Sequence, residues 1–447
     1  MTRATVSFLG GVNEIGGNKV LIEDGPDRIL FDFGPSFSPQ FEEFYVDFLK
    51  PRSTSEVKDL LEFDLIPRVE GLYSRAALQG SDLDHQPPSI HAIFISHAHA
   101  DHSGYLHLVD PDIPVFVGAT TRSVLDAIET SGTRKYGEHS WRIVGDSQPV
   151  KVGNIEVIPF PVDHSIPGAY GYLVRTSQGT VVYTGDFRQH GPRAADTHRF
   201  LGAASAEEPE ALVIEGTRAG PEVRQSLSEE GVRTGVDQLL GSTSDLALVC
   251  TYPRDVDRLM TLYRAATAID RTLVVSLKTA HLLTTIGQRF PDLHLPIPGS
   301  SPGIVAYGRK KRRYYAWEVP LLDGCIEADE LRSRGSQYLF AIDLMHFAEL
   351  IDIRPPAGSP FIHSMSEPFS EDDVDDRVFH RWLDHFGLAF HQMHASGHCS
   401  ALELQEIVGS VSAKTVYPIH TVHPEAIRGG RGKAVPPEKG KPYPLGE

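Results

Sequence analysis

The segment Ser96-His97-Ala98-His99-Ala100-Asp101-His102-Ser103-Gly104 puts three imidazoles and a carboxylate within six residues. Such a run is poor material for an apolar core and wasteful on a surface. The apolar stretch His91–Ser96 reads as a strand leading in, and Ser103-Gly104 lead out. In an extended loop, residues two apart point the same way. His97 and His99 can therefore share one cation while Asp101 and His102 turn toward a second. Imidazole with carboxylate suits zinc or a similar divalent ion. Any fold open to this chain has to bring more ligands to the end of that one strand.

The same kind of strand end recurs. Val162-Asp163-His164-Ser165 follows the apolar run Ile155–Pro159 and offers His164. Tyr183-Thr184-Gly185-Asp186 ends the run Thr180–Tyr183 and offers Asp186, a carboxylate beside glycine that can bridge two cations. Phe31-Asp32-Phe33-Gly34 sets an acid between aromatics. A buried carboxylate needs partners; the one expected for Asp32 is a ligating histidine, which it would orient.

The 447 residues allow two or three domains. A hydrophobic content of 40% with 23% charged residues excludes a disordered chain. The net charge of −17 counts against a protein that coats nucleic acid by charge alone. Cys250, Cys325 and Cys399 are too few and too scattered for a disulfide framework. With no signal-peptide core and no apolar stretch near the ~20 residues that span a bilayer, a cytoplasmic setting without a membrane partner is expected.

Short strands dominate the first half: Thr5–Leu9, Asn18–Ile22, Arg28–Phe33, Val115–Val117, Gly171–Val174. Residues 41–75 look partly helical, with Ser53-Thr54-Ser55-Glu56 as a capping box. From about 209 the pattern changes. The strands Leu212–Glu215, Leu246–Thr251 and Thr272–Ser276 alternate with helical stretches at Val223–Leu240, Val256–Ala268 and from Ala280. That alternation is the mark of a parallel sheet flanked by helices. The expected organisation is a first domain over 1–208, a second α/β domain over 209–372, a return to the first domain over 373–428, and a poorly ordered tail over 429–447. The acidic stretch 371–376 reads as the start of a helix.

Two further features point to phosphate. Ser400-Ala401-Leu402-Glu403 reads as a capping box, which sets His398 just ahead of a helix N-terminus that favours anions, with Ser396 and Gly397 as added donors. The basic run Arg309-Lys310-Lys311-Arg312-Arg313 precedes Tyr314, Tyr315 and Trp317, a mixture suited to single strands. A solvated hairpin with inward-packed aromatics is the alternative.

The set Asp32, His97-x-His99-x-Asp101-His102, His164 and Asp186 resembles the four ordered motifs of the metallo-β-lactamase superfamily. Leu212–Arg218, His394–Ser400 and Tyr417–Glu425 resemble motifs A, B and C of its β-CASP group. The opening Gly10–Asn18 and the stretches Thr251–Arg258 and Arg271–Ser276 are similar to ribonuclease J and its archaeal relatives. The resemblance implies an α/β fold, an αββα sandwich with an inserted β-CASP domain. It implies that His97, His99 and His164 hold one metal, that Asp101, His102 and His420 hold another, and that Asp186 bridges them. Two Zn2+ are implied, with Mn2+ as the substitute. Glu215 and His398 would pair near the leaving group. A histidine at motif C, here His420, goes with RNA-processing members. The implied activity is hydrolysis of single-stranded RNA, by endonuclease or 5′→3′ exonuclease action, with a homodimer as the candidate assembly. Residues 40–88 read as an insertion capping the site. Other readings are a DNA nuclease, a hydrolase of small esters, thioesters or lactones, and a non-catalytic subunit of an RNA-processing complex.

Overall fold

The computed structural model describes residues 3–37, 44–46, 48–220, 227–367 and 373–446. Three sheets organise them. The first runs, edge to edge, Pro442–Pro444, Thr5–Gly10, Lys19–Asp24, Asp27–Phe31, Ala92–Ile95, Val115–Gly118 and Trp141–Val144. The second runs Lys433–Ala434, Thr415–Ile419, Ala211–Glu215, Gly179–Tyr183, Tyr170–Thr176, Ile155–Pro161 and Val150–Val152.

Strand alternation stacks these two sheets face to face. Val20, Ile22, Phe31 and Phe94 point inward and meet Val157, Tyr172, Val181, Tyr183 and Val213. Their neighbours Leu21, Leu30, Ile93 and Ile95 point outward, where Val57, Leu60 and Leu61 of the helix Glu56–Glu62 and Val124 and Leu125 of Ala119–Thr130 cover them. On the far side, Val182, Leu212 and Ile214 are covered by Phe200 and Leu201 of the helix Ala194–Ala206 and by Leu404 and Ile407 of Ala401–Val411. The layers are therefore helix, sheet, sheet, helix.

The third sheet is parallel throughout, in the order Ile304–Tyr307, Thr272–Ser276, Tyr338–Ala341, Ala247–Thr251, Pro360–Ser364 and Ala389–Gln392. Its strands are nearly continuous apolar runs, as a sheet covered on both faces requires.

Sheet membership moves two of the expected limits. Ala211–Glu215 pairs in parallel with Gly179–Tyr183 and Thr415–Ile419, so it belongs to the second sheet and not to the inserted unit. The helix Val374–Phe386 leads into Ala389–Gln392, which joins the third sheet, so the return comes after 392 and not at 373. An edge strand adds no new apolar face in sequence, and that hides such a boundary. The tail is also tied down. Pro442–Pro444 pairs with Thr5–Ser7, and the Tyr443 ring packs 5.9 Å from Phe8 and 5.1 Å from Tyr417. Proline suits this place because an edge strand can leave one N–H side unpaired.

Three local expectations also change. The helix Glu56–Glu62 starts after Ser55 with no side-chain cap bond, so no capping box forms there. Within 40–88, where residues 40–43 and 47 lie outside the described set, the apolar side chains Leu60, Leu61, Ile66 and Leu72 pack behind the first sheet instead of forming a cap. The helix expected from Val223 runs over Glu229–Gly241, with residues 223–226 outside the described set.

Phe31 is fully buried between the two sheets, its ring centroid 5.0–5.5 Å from those of Tyr183, Tyr172 and Phe94. Phe31→Ala should lower stability by about 3–5 kcal/mol, read as a shift in the urea midpoint; a shift under ~1 kcal/mol would contradict this packing.

Candidate metal and catalytic site

The ligand loop begins where the buried strand Ala92–Ile95 ends. Ser96 and His97 carry the chain out of the strand; Ala100–Ser103 then forms one helical turn with His99, in extended backbone, as its cap. That turn aims Asp101 and His102 at the second cluster, with the His102 ring still 4.1 Å from that of His97. Glycine permits the tight packing around it: a Cβ on Gly34 would lie 2.1 Å from the Asp101 backbone.

Two clusters result. His97, His99, His164 and Asp186 form one; Asp101, His102, His420 and Asp186 form the other; within each, one ligand atom per residue lies within 4.8 Å of the rest. The Nδ1 of His99 is 2.9 Å from His97 Nε2 and 3.1 Å from His164 Nε2. His420 Nε2 is 3.1 Å from Asp101 Oδ2 and 3.5 Å from Asp186 Oδ2, and His102 Nε2 is 3.1 Å from the latter. Asp186 is common to both clusters, and its Oδ1 is buried without a hydrogen-bond partner among the described residues.

This donor set fits divalent cations. Three imidazole nitrogens converging on one point cannot satisfy one another as donors, and an orphaned carboxylate oxygen lies beside them. Burial and the neighbouring imidazoles hold His97 and His164 well below the usual histidine range, and burial takes His99 to about 4. These three are therefore neutral, as ligation requires. In the second cluster burial alone would lower His102 and His420. The facing Asp186 and Asp101 carboxylates outweigh it, raising His102 strongly and His420 to about 9. Burial would likewise raise the Asp101 and Asp186 carboxyls, but His102 and His420 hold both below the usual range. A cation would take over the charge that these histidines now balance.

The opposite ring nitrogens of His102, His164 and His420 are held. His102 Nδ1 donates to Asp32 Oδ2 at 2.7 Å. His164 Nδ1 donates to the Gly397 carbonyl at 2.6 Å, and His420 Nδ1 shares a 2.9 Å hydrogen bond with Thr217 Oγ1. Asp32 also accepts from Ser96 N–H, Ser96 Oγ and Tyr183 OH. Fixed second nitrogens set ring orientation and raise ligand basicity. His398 Nδ1 donates to Glu215 Oε1 at 3.1 Å, and Thr217 N–H anchors the other Glu215 oxygen at 2.8 Å. The His398 ring lies 5.2 Å from that of His164. Ser400 and Glu403 form the reciprocal capping box at the start of Ala401–Val411, and Ser396 Oγ accepts from His398 N–H.

The basic run lies apart. Arg309 and Lys310 pair with Glu349 and Glu327 at 3.0 and 3.3 Å, and Lys311 pairs with Glu318. Arg312 and Arg313 are exposed. Tyr314 and Trp317 pack half-buried against the core, and Tyr315 remains exposed. None of these bonds reaches the histidine–aspartate clusters.

A buried charge network was not read from sequence. Arg188, two residues beyond Asp186, donates to Asp163 at 3.2 Å, Asp257 at 2.6 Å and Glu229 at 3.2 Å, and to the Ser396 carbonyl. Arg258 donates to Glu229 and to the Ala395 and Ser364 carbonyls. The two guanidiniums thus suspend the loop that carries Gly397 and His398 between the second sheet and the inserted unit. The sequence signal was there, in Asp163 beside His164 and Arg188 beyond Asp186, but it names no partners. Arg258→Met should cost about 3–5 kcal/mol, since it strands Glu229 without its main partner. Denaturant unfolding checks this, and a loss under ~1 kcal/mol would show the pair to be replaceable.

Comparison with known proteins agrees with this architecture. Residues 63–230 match the β-lactamase superfamily domain. Over 298 residues the chain is 24% identical to ribonuclease J of Helicobacter pylori strain 26695, covering 65% of this chain and 39% of that protein. It is 30% identical over 200 residues to ribonuclease J of Sinorhizobium meliloti, covering 43% and 35%. The chain thus spans well under two thirds of the length of these relatives. The crystal structure of a protein of unknown function from Enterococcus faecalis V583 matches 99% of this chain and 100% of its own, with a TM-score of 0.82 and 26% identity. Residues 63–230 thus match a β-lactamase superfamily domain, and the chain is similar in sequence to ribonuclease J over about two thirds of its length.

Proposed function

We propose that the chain is a two-metal ribonuclease of the β-CASP type that hydrolyses phosphodiester bonds of single-stranded RNA, internally or from the 5′ end. The carrying observation is the His398–Glu215 pair, which stands beside two ligand clusters sharing Asp186. A small ester needs no such second acid and no suspended loop to hold it. The ribonuclease J relatives and His420 at the end of Thr415–Ile419 favour RNA over DNA.

His97, His99 and His164 would hold one cation and Asp101, His102 and His420 the other, with Asp186 between them. Zn2+ suits the imidazole-rich donors, and Mn2+ suits the carboxylates. Such cations supply Lewis-acid charge and a water acidified toward neutral pH. The protein's own part is positional. Asp32, the Gly397 carbonyl and Thr217 aim three ligand histidines at the centre. As an imidazolium whose Nδ1–H is tied to buried Glu215, His398 would hold a second proton on Nε2 and give it to the leaving 3′ oxygen, returning to the neutral ring. Ser396 and the capped start of Ala401–Val411 favour a phosphate beside it. Among the described residues no helix is long and apolar enough to cross a membrane.

One cleavage panel tests the reading, with 5′-monophosphate, 5′-triphosphate and 5′-hydroxyl RNA and single-stranded DNA, each with Zn2+ or Mn2+. RNA should be cut by the wild type and not by His97→Ala, and Asp32→Asn should lose about 10–100-fold. Cleavage retained by His97→Ala, or confined to DNA, would overturn the proposal. Metal analysis gives a separate check: about two equivalents per chain, falling to about one in His420→Ala.

A further inference from the structure

Arg254 lies between the strand Ala247–Thr251 and the helix Val256–Thr267, at the carboxyl end of a central strand of the inserted sheet. In open parallel sheets that end is where ligands bind. The turn is fixed in place. Asp255 caps the following helix by accepting from Arg258 N–H at 3.0 Å, and the Tyr252 ring faces His394 at 6.3 Å. Arg258 on the same helix holds the Ala395 carbonyl. The turn therefore abuts the loop that carries His398.

The Arg254 side chain is half-buried, yet among the described residues it makes no hydrogen bond and no ion pair. This sets it apart from Arg188, Arg193 and Arg258, each of which meets a carboxylate at 3.2 Å or less. Its electrostatic neighbours are Tyr136, Arg134 and Asp101, and it also acts on His99. His99 is the one member of the two clusters that is not fully buried. Arg134 in turn donates to the Gly104 carbonyl at 3.2 Å, directly beyond the ligand loop, and has no acidic partner among the described residues. Asp101, the sole carboxylate acting on Arg254, is already engaged by His102 and His420.

Two guanidiniums that repel each other at the open side of a metal-ligand cluster, with no carboxylate of their own, are costly in the free protein and profitable only when an anion arrives. Guanidinium is also the group best shaped for phosphate. We infer that Arg254 and Arg134 form a clamp for a backbone phosphate of single-stranded RNA next to the bond being cut, with one jaw supplied by the inserted unit and the other by the sandwich. This inference rests on the ribonuclease reading and adds to it the residues that grip the strand.

The test is binding, not turnover. A fluorescent 12-nucleotide single-stranded RNA is titrated onto the full chain in the His97→Ala background, where it is not cut, across a salt series. Adding Arg254→Gln should weaken binding about 10-fold and lower the slope of log affinity against log salt by about 0.7, the value for one lost phosphate contact on a single strand. Arg134→Gln should act in the same direction, and Arg254→Lys should restore the slope while recovering only part of the affinity. Unchanged affinity and slope in Arg254→Gln overturn the clamp. So does a slope that Lys fails to restore, because the loss would then be structural. Should the parent protein bind no RNA, the ribonuclease reading falls together with the clamp. Should it bind RNA regardless of residue 254, the clamp alone falls.

Discussion

The Asp32 carboxylate is the joint on which the site turns. It is fully buried, with φ near +58°, at the end of Asp27–Phe31. It accepts from Ser96 and His102 on the ligand loop and from Tyr183 on the facing sheet. A buried carboxylate without donors would be costly, so these groups must come together for either sheet to sit correctly on the other. Asp186 lies three residues beyond Tyr183. The bond that satisfies Asp32 therefore also carries the shared ligand into range of His102. Stability of the sandwich and alignment of the ligands are one requirement.

The inserted unit reaches the same centre by a second route. Arg188 and Arg258 meet on Glu229 and hold successive carbonyls of one loop, Ser396 and Ala395. The next residue, Gly397, offers its carbonyl to His164. An interaction made deep between the two units thus ends, one or two residues along, in the orientation of a ligand. Replacing Arg by Lys at these places would keep charge but lose the forked geometry that lets one side chain hold both a carboxylate and a carbonyl.

What could be read in the sequence follows from how local each signal is. The ligand loop, His164 and Asp186 announce themselves because spacing and strand ends are local, and the capping box at Ser400 and Glu403 is local too. The limits of the inserted unit were misplaced at both ends because strand pairing is not local: Ala211–Glu215 and Ala389–Gln392 look alike as apolar runs and differ only in their neighbours. The basic run at 309–313 reads as a mixture suited to single strands or as a solvated hairpin, and the pairing of Arg309, Lys310 and Lys311 with Glu349, Glu327 and Glu318 is not legible because those acids come later in the chain. Arg254 went unremarked for the opposite reason, since what distinguishes it is the lack of a partner.

The first sheet closes on strand Pro442–Pro444, and the second cluster closes when His420 N–H reaches the Gly11 carbonyl at 2.8 Å. Both join the beginning of the chain to its last tenth. Contacts of such long sequence separation form slowly and late, since chain entropy is lost before they repay it. On a chain emerging from synthesis, both sheets are nearly complete by residue 215, but Thr415–Ile419 and His420 cannot join them until the whole inserted unit is out. The first cluster draws its ligands from residues 97–186, and these are complete long before the second. Ligand assembly is therefore ordered in time by topology, and the second cluster comes together only after the whole inserted unit has been made.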